Sequence, residues 1–321
     1  MNITVIGCGR WGSLITWYLD HIGHRVTLYG RAASPRMQAF LTTRQNDLLT
    51  LPESVALSTA LDAALESAET VIISIGSQSL RSLLGQPELQ ALRNRTVVLC
   101  MKGLEMGTGA RLSQIAAELL HPSNTVAVWL GPGHVQEFYR GIPNCMVIDS
   151  ENEDVKRRLV QAFSSDLIRF YYGGDMIGNE VGAAAKNVVG IAAGFLDGFE
   201  MSSLKGALMS RGTREVARLI KAMGGSELSA YGLCHLGDYE ATVFSPYSHN
   251  RQFGESFVRG QDYHQLAEGY YTVKALMLLG QRYGVELPIC KAVHDILYEQ
   301  AVPRDVLDGL LRRGLTEEFY D

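Results

Sequence analysis

The first twelve residues constrain the fold more than any other stretch of the chain. An apolar run from Ile3 to Ile6, typical of a buried parallel strand, is followed by Gly7, Gly9 and Gly12 and then by a stretch with helical period. In a strand–turn–helix the first glycine allows the tight turn, the second lets a pyrophosphate approach the backbone, and the third lets the helix pack against the strand. The pyrophosphate then lies at the positive end of the helix dipole.

This opening predicts a dinucleotide-binding domain, because a second strand from His24 to Tyr29 follows the helix. The alternative is a tight turn in an α/β domain that binds no cofactor. The second strand is followed by Arg31, whereas NAD sites usually have an Asp or Glu there to hold the ribose 2′-hydroxyl. An arginine can bind a 2′-phosphate, which slightly favours NADP over NAD, unless Arg31 is only a solvated loop residue.

Composition and charge exclude several classes of protein. A chain of 321 residues is too long for one ordinary core, so two domains are expected. A net charge of −5 argues against nucleic acid as a partner. No apolar run approaches the roughly 18 residues of a membrane span, and no signal peptide precedes the glycine turn. Five dispersed cysteines are typical of reduced thiols, so a cytoplasmic location is expected.

The periodicity of apolar residues divides the chain near residue 175. Before it, strands alternate with helices, which predicts an α/β fold with a Rossmann-like, doubly wound and mostly parallel sheet. After the first two strands, a loop with a short strand is expected within Asn46–Leu57. Further strands are predicted at Glu69–Ile75, Thr96–Met101, Thr125–Leu130, Cys145–Ile148 and Leu167–Tyr172. Beyond Asp175 the apolar residues recur at helical spacing, which predicts an all-helical domain. The expected domains are residues 1–174, for the dinucleotide, and 175–321, for substrate and catalysis.

One predicted helix, from Gly178 to Gly194, consists mainly of small residues and carries a single lysine, Lys186. The residues one turn before and after Lys186 on its face are glycine, alanine and valine, so a small ligand could lie there. A desolvated lysine has a lowered pKa, which suits proton transfer near neutral pH. The alternative is a lysine whose ammonium extends to solvent.

A second group of polar residues follows further along the chain. Asp238 and Thr242 are four residues apart, so a helix would place them on one face, where a carboxylate could orient a lysine ammonium. A solvated aspartate at a helix N-terminus is the other interpretation. The segment Ser248–Gly254 is polar and turn-like, and its donors suit an anion. Its His249 shows no metal-ligand spacing and, by itself, is more often a surface or core histidine.

Motifs along nearly the whole chain resemble those of the soluble NAD(P)-dependent glycerol-3-phosphate dehydrogenases. They occur in the order known for that family: Gly7–Gly12, Lys102–Glu105, Gly131–His134, Gly182–Gly198, Gly237–Gly254 and Glu268–Tyr270. The resemblance implies hydride transfer between NAD(P)H and carbon 2 of dihydroxyacetone phosphate or sn-glycerol 3-phosphate. It also implies a phosphorylated small-molecule substrate, a homodimer, and no metal.

The resemblance assigns roles to particular positions. The catalytic residues that it implies are Lys186 as general acid, with Lys102, Asp238 and Asn187 around the substrate. The cofactor residues are Gly7, Gly9, Arg10, Trp11, Gly12, Arg31, Lys102, Val135, His249 and Glu268. The substrate residues are Lys102, Gly131, Gly133, Lys186, Asp238, Thr242, Ser248, His249 and Asn250.

Four positions near this implied site depart from the family pattern. His249 stands where the family has arginine, Gly133 where it has serine, Gly76 where it has proline, and Tyr271 where it has a polar or basic residue. A reductase of the same family acting on another small anionic or polar ketone, such as a phosphonate, carboxylate or amino analogue, is therefore an alternative. A nucleotide-binding regulatory protein without turnover is a second one.

A charge lost at position 249 could be supplied from elsewhere in the chain. A titratable imidazole in place of a fixed guanidinium should weaken phosphate binding and make it sensitive to pH. Two other arginines in the second half of the chain, Arg211 and Arg251, are candidates to replace the missing positive charge.

Overall fold

The computed structural model of the protein describes residues 1–314 and 317–318. The chain forms two compact units. The sheet unit comprises Met1–Met101 and Leu112–Met176, whereas the helical unit comprises Lys102–Arg111 and the residues from Ile177 onward. The chain therefore passes between the units three times, whereas the sequence predicts one division after residue 174. The segment 102–111 follows a strand of the sheet unit in sequence but packs with the helices, and it carries Lys102.

One sheet runs through the sheet unit. Its strands within the described residues are β1 (Asn2–Ile6), β2 (Arg25–Tyr29), β3 (Ala56–Ser58), β4 (Thr70–Ile73), β5 (Thr96–Leu99), β6 (Thr125–Leu130), β7 (Asn144–Asp149) and β8 (Ile168–Tyr172). They lie in the order β3-β2-β1-β4-β5-β6-β7-β8, and every neighbouring pair is parallel except β6 with β7. The predicted doubly wound, mostly parallel sheet is confirmed, because each apolar run forms a strand that helices cover.

The helices of the sheet unit pack against this sheet. They are α1 (Arg10–His21), α2 (Pro35–Thr43), α3 (Leu61–Leu65), α4 (Leu80–Leu84), α5 (Pro87–Gln90), α6 (Leu112–Leu119), α7 (Val135–Tyr139) and α8 (Glu153–Phe163). The largest side chains of the core are aromatic. Tyr18 of α1 lies edge-on to Trp129 of β6, and its hydroxyl donates to the carbonyl of Phe163. These contacts join α1, β6 and the end of α8, which are far apart in the sequence. They therefore hold these helices on the sheet.

The helical unit is built around one long helix, α9 (Met176–Gly198). The other helices of this unit are α10 (Lys205–Ala222), α11 (His249–Val258), α12 (Glu268–Tyr283), α13 (Pro288–Tyr298) and α14 (Pro303–Leu311). The all-helical second half is therefore confirmed. Within the part of the chain that the structure describes, no helix combines the length and the apolar character needed to cross a bilayer.

Small residues of α9 let other helices approach its backbone closely. A Cβ atom added to Gly194 would lie 2.1 Å from the carbonyl oxygen of Arg251, and one added to Gly254 would lie 2.2 Å from that of Ile191. A Cβ at Gly269, at the start of α12, would lie 2.6 Å from the carbonyl oxygen of Asn187. The sequence predicts close packing by this helix, and its partners here are α11 and α12.

The segment around Asp238 is not the regular helix that the sequence predicts. A 3₁₀ turn from Leu236 to Asp238 is followed by a π-helical turn from Glu240 to Phe244. A spacing of four residues does not distinguish α from π geometry, and tertiary contacts decide between them. Asp238 and Thr242 nevertheless both lie at Lys186. Short π-helical turns are frequent at functional sites.

Candidate active site

The glycine turn of the sheet unit has the geometry that a dinucleotide requires. Gly7 has a φ of +117°, and a Cβ there would lie 2.1 Å from the carbonyl oxygen of Ser74. A Cβ at Gly12 would lie 1.9 Å from the carbonyl oxygen of Gly7. By contrast, a Cβ at Gly9 would meet only the guanidinium of Arg36, at 3.8 Å. Packing therefore requires glycine at positions 7 and 12, whereas the space beside Gly9 is open.

The N-terminus of α1 suits an anion. Gly9 is its N-cap residue and provides no side-chain cap, and the positive end of the helix dipole lies at this point. Arg10 and Trp11 open the helix, and Arg31 is exposed just beyond β2. Sequence reasoning missed Arg36, although a second arginine five residues after Arg31 was a readable signal.

The turn after β6 explains one departure from the family pattern. Gly131 and Gly133 have φ values of +132° and +139°, which disfavour other residues. A Cβ at Gly133 would lie 2.2 Å from the ring of Phe138, so the serine of the family cannot fit without moving that ring. Val135, predicted to contact the cofactor, has its side chain buried in the core of the sheet unit.

The helical unit brings four of the predicted residues together, and we call them the lysine–aspartate cluster: Lys102, Lys186, Asp238 and Thr242. Lys186 Nζ lies 2.9 Å from Asp238 Oδ2 and donates to Thr242 Oγ1 at 2.7 Å. Lys102 Nζ lies 2.7 Å from the same carboxylate oxygen. Lys186 is only 6% exposed, so the alternative of a lysine that extends to solvent is wrong.

The cluster changes the acid–base behaviour of Lys186. Burial lowers the pKa of Lys186 to about 8, because removal from water disfavours the ammonium. The charge of Asp238 acts in the opposite direction and raises this pKa, and the ammonium of Lys102 lowers it. A lysine that titrates near neutral pH can both donate and accept a proton during turnover.

One atom of the cluster has no hydrogen-bond partner. Asp238 Oδ1 is buried, and no donor reaches it among the residues that the structure describes. The other oxygen, Oδ2, accepts from Lys102 and forms an ion pair with Lys186. An unsatisfied buried carboxylate oxygen is costly to the folded state, and it is an acceptor that a hydroxyl group of a bound substrate could use.

A chain of amide hydrogen bonds extends from the cluster. Asn187 Nδ2 donates to the carbonyl of Lys102 at 2.8 Å, and Asn250 Nδ2 donates to Asn187 Oδ1 at 3.1 Å. The backbone N–H of Gly269 completes the chain by donating to Asn250 Oδ1 at 2.9 Å. These bonds connect α9, α11 and α12 with the segment that carries Lys102.

The remaining predicted residues of the helical unit lie at the starts of two helices. Ser248 is the N-cap of α11, and its hydroxyl accepts from the backbone N–H of Arg251. His249 is the first residue of α11, and its Nδ1 lies 2.6 Å from the hydroxyl oxygen of Tyr263. Glu268 opens α12. Tyr263 was missed by sequence reasoning, since it lies in an irregular segment where no periodicity indicates contacts.

Neither arginine that could replace the missing family arginine is available for that role. Arg251 Nη1 lies 2.9 Å from Asp197 and 2.8 Å from Glu255, so two carboxylates neutralise its charge. Arg211 donates to the carbonyl of Glu318 and lines a cavity of about 540 Å³ formed mainly by α10, α13 and α14. That cavity contains none of the residues predicted for cofactor or substrate.

Comparisons with known proteins match two regions of the chain to one family. Residues 2–156 match the N-terminal region of the NAD-dependent glycerol-3-phosphate dehydrogenases, and residues 175–308 match their C-terminal region. Similar full-length relatives named glycerol-3-phosphate dehydrogenase [NAD(P)+] include one from Thermoanaerobacter sp. (strain X514), with 32% identity over 100% of this chain and 99% of the relative. Another, from Thiobacillus denitrificans, has 35% identity over 99% of this chain and all of the relative.

A solved structure supports the same conclusion. The crystal structure of glycerol-3-phosphate dehydrogenase from Coxiella burnetii superimposes with a TM-score of 0.89 and 27% identity, covering 97% of this chain and 99% of that one. The glycine-turn unit and the helical unit with its buried lysine define an NAD(P)-dependent dehydrogenase. The similarity over the full length is more specific: the chain belongs to the NAD-dependent glycerol-3-phosphate dehydrogenase family.

The electrostatics of the cluster predict how activity depends on pH. The family resemblance implies that Lys186 is the general acid, so we expect kcat for ketone reduction to fall as pH rises through about 8. The substitution Asp238→Asn removes the charge that raises the pKa of Lys186, so this fall should move to lower pH. Steady-state kinetics over a pH series measure the shift, and the control is Asp295→Asn, which removes a half-buried carboxylate of α13 that is paired with Lys291. An identical pH profile in both variants would contradict the assignment.

Proposed function

We propose that the protein catalyses reversible hydride transfer between NAD(P)H and carbon 2 of dihydroxyacetone phosphate, with sn-glycerol 3-phosphate as the reduced product. The observation that carries the proposal is the buried ammonium of Lys186, held by Asp238 and Thr242. Support also comes from full-length relatives named for this activity.

The sheet unit would hold the cofactor, which supplies the hydride when bound. Gly7 and Gly12 shape the turn, Gly9 leaves room for the pyrophosphate, and the amide groups at the start of α1 would bind it. The open face at Gly9 is the feature of this chain that fits such a group. The nicotinamide chemistry belongs to the cofactor, and the protein supplies orientation, charge and a proton.

Lys186 would supply the proton. Hydride addition to the carbonyl carbon places negative charge on the carbonyl oxygen, and Lys186 Nζ–H would transfer its proton to that oxygen to complete the alcohol. Lys102 would stabilise the developing charge. Asp238 Oδ1, which has no partner among the described residues, would accept from a substrate hydroxyl group. In the oxidation direction Lys186 would accept the proton.

The phosphate of the substrate would bind at the start of α11. Asn250 and His249 lie in the first turn of this helix, where backbone N–H groups and the helix dipole favour an anion. Ser248 is engaged as the N-cap of the same helix. With histidine at position 249 the site would have one fixed positive charge fewer than the family pattern provides.

The two alternatives are less well supported. A reductase of another small ketone would account for His249, but relatives at 32% and 35% identity over the full length carry the name of the proposed activity. A regulatory protein without turnover would not need two lysines sharing one buried carboxylate oxygen. We infer a homodimer from the family resemblance. We infer a cytoplasmic location from the five cysteines, none of which forms a disulfide bond.

The role of Lys186 is tested by Lys186→Met, which keeps most of the buried volume and removes the proton and the charge. We expect kcat for NAD(P)H oxidation with dihydroxyacetone phosphate to fall by about two orders of magnitude or more, while cofactor affinity is unchanged. The matched control is Lys156→Met, which removes a buried lysine of α8 in the sheet unit. Near-normal turnover of Lys186→Met would remove Lys186 from the mechanism.

The substrate phosphate is tested by His249→Arg. If the start of α11 binds phosphate, a permanent guanidinium should lower KM for dihydroxyacetone phosphate by roughly tenfold, because charged bidentate bonds are stronger than those of an imidazole. The control is His121→Arg, which makes the same change at an exposed position of the sheet unit. An unchanged or higher KM would favour another substrate, and a screen of small anionic ketones would then follow.

The slight preference for NADP rests on Arg31. We expect Arg31→Asp to shift the ratio of kcat/KM for NADPH over NADH towards NADH by about tenfold, because a carboxylate repels the 2′-phosphate and can accept from the 2′-hydroxyl. The control is Arg25→Asp, at the start of β2, whereas Arg31 follows the end of that strand. If the two variants have the same ratio as the unmodified protein, Arg31 does not contact the 2′ position.

A further inference from the structure

A buried histidine beside the lysine–aspartate cluster has no role in the mechanism above. His235 is fully buried and immediately precedes the 3₁₀ turn that carries Asp238. Its Nδ1 lies 2.8 Å from the carbonyl oxygen of Gly182 on α9, and its Nε2 lies 2.8 Å from the hydroxyl oxygen of Tyr239. Both ring nitrogens therefore have a hydrogen-bond partner.

The partners determine the protonation state of the ring. A carbonyl oxygen only accepts, so Nδ1 carries the proton and Nε2 accepts from the hydroxyl of Tyr239. Burial lowers the pKa of His235 to about 4; the bond to Gly182 and the charge of Asp238 raise it, and the charge of Lys186 lowers it. The ring is therefore neutral at physiological pH and adds no third positive charge beside the two lysines.

His235 is hydrogen-bonded to the backbone on both sides of the ion pair between Lys186 and Asp238. Gly182 lies one turn before Lys186, and in a regular α-helix its carbonyl accepts from the backbone N–H of Lys186. The carbonyl of His235 accepts from the backbone N–H of Asp238 at 3.0 Å. A Cβ at Gly182 would lie 3.0 Å from the Cβ of His235, so glycine at this position allows the close approach.

Tyr239 lies between His235 and a second helix. Its hydroxyl is hydrogen-bonded to His235 and faces α10, where a Cβ added to Gly212 would lie 3.4 Å from it. Its ring is fully buried and packs with Val189 of α9 and Val243 of the π-helical turn. Hydrogen bonds thus connect α9 with His235 and Tyr239, beside the turn that carries Asp238.

We propose that His235 is a positioning residue, which sets the distance between the carboxylate of Asp238 and the ammonium of Lys186. The proposal rests on the proposed function only for its kinetic consequences. The short distance between these charges opposes the effect of burial on the pKa of Lys186, so a displaced carboxylate would leave Lys186 deprotonated over more of the pH range.

Three variants separate positioning from general stability. His235→Leu fills the space and removes both ring hydrogen bonds. His235→Asn places an amide N–H group at the position of Nδ1 and retains the bond to Gly182. Leu219→Ala makes a cavity in α10, within the same helical core, and serves as the control for lost packing. Thermal unfolding of each variant shows which substitutions only destabilise the fold.

Two readouts report the position of Asp238. The first is kcat for reduction against pH, together with KM for the cofactor. The second is the pKa of Lys186, measured by NMR titration of protein labelled with ¹³C at lysine Cε, with the signal assigned from Lys186→Arg. In His235→Leu we expect kcat to fall about tenfold or more and the pKa of Lys186 to fall by about half a unit or more. In His235→Asn both should recover most of their original values.

The outcomes distinguish this proposal from the proposed function. If His235→Leu and Leu219→Ala have the same kcat, pH profile and Lys186 titration, His235 is only a core residue and the proposal is overturned. If His235→Asn is as impaired as His235→Leu, the bond to Gly182 has no positioning role, which also overturns it. If dihydroxyacetone phosphate is not reduced but the Lys186 titration shifts as expected, the proposed substrate fails and the positioning role stands.

Discussion

The proposed active site of this protein depends on one carboxylate oxygen that two lysines share. Lys102 and Lys186 both contact Asp238 Oδ2, and Lys186 is almost completely removed from water. A buried ammonium without a partner destabilises a protein by several kcal/mol, so the carboxylate has to stay in place. Burial lowers the pKa of Lys186 to about 8, which suits both directions of the proposed reaction.

Close packing of the helices in the helical unit keeps the carboxylate of Asp238 and the two lysines in place. Glycines on α9, α11 and α12 bring backbones close enough for the amides of Asn187 and Asn250 to bond in series with the segment that carries Lys102. This segment, residues 102–111, packs with the helices although it follows a strand of the sheet unit in sequence. The face beside Lys186 is occupied by Asp238 and Thr242, and Asp238 Oδ1 accepts no hydrogen bond from the residues that the structure describes.

The periodicity of the sequence predicted the elements of the sheet well. Strands such as Thr125–Leu130 have the predicted bounds, because a buried parallel strand needs a continuous apolar, β-branched run that few other elements show. The π-helical turn at Glu240–Phe244 and the contact between His249 and Tyr263 were not predictable in this way. The π-helical turn depends on tertiary contacts, and Tyr263 lies in an irregular segment. No local sequence pattern therefore encodes either feature.

The sequence by itself determined the glycine turn and the alternating strands and helices, and its family resemblance named the polar residues that form the lysine–aspartate cluster. The glycine turn and the single elements are local, since each depends on residues within about one turn or one strand of one another. Only the tertiary structure decided that Lys186 is buried, that both lysines contact one oxygen of Asp238, and that Arg251 is neutralised by Asp197 and Glu255. The physical reason is that burial and the distance between charges are set by segments far apart in the chain, and these two quantities fix the charge state of each side chain.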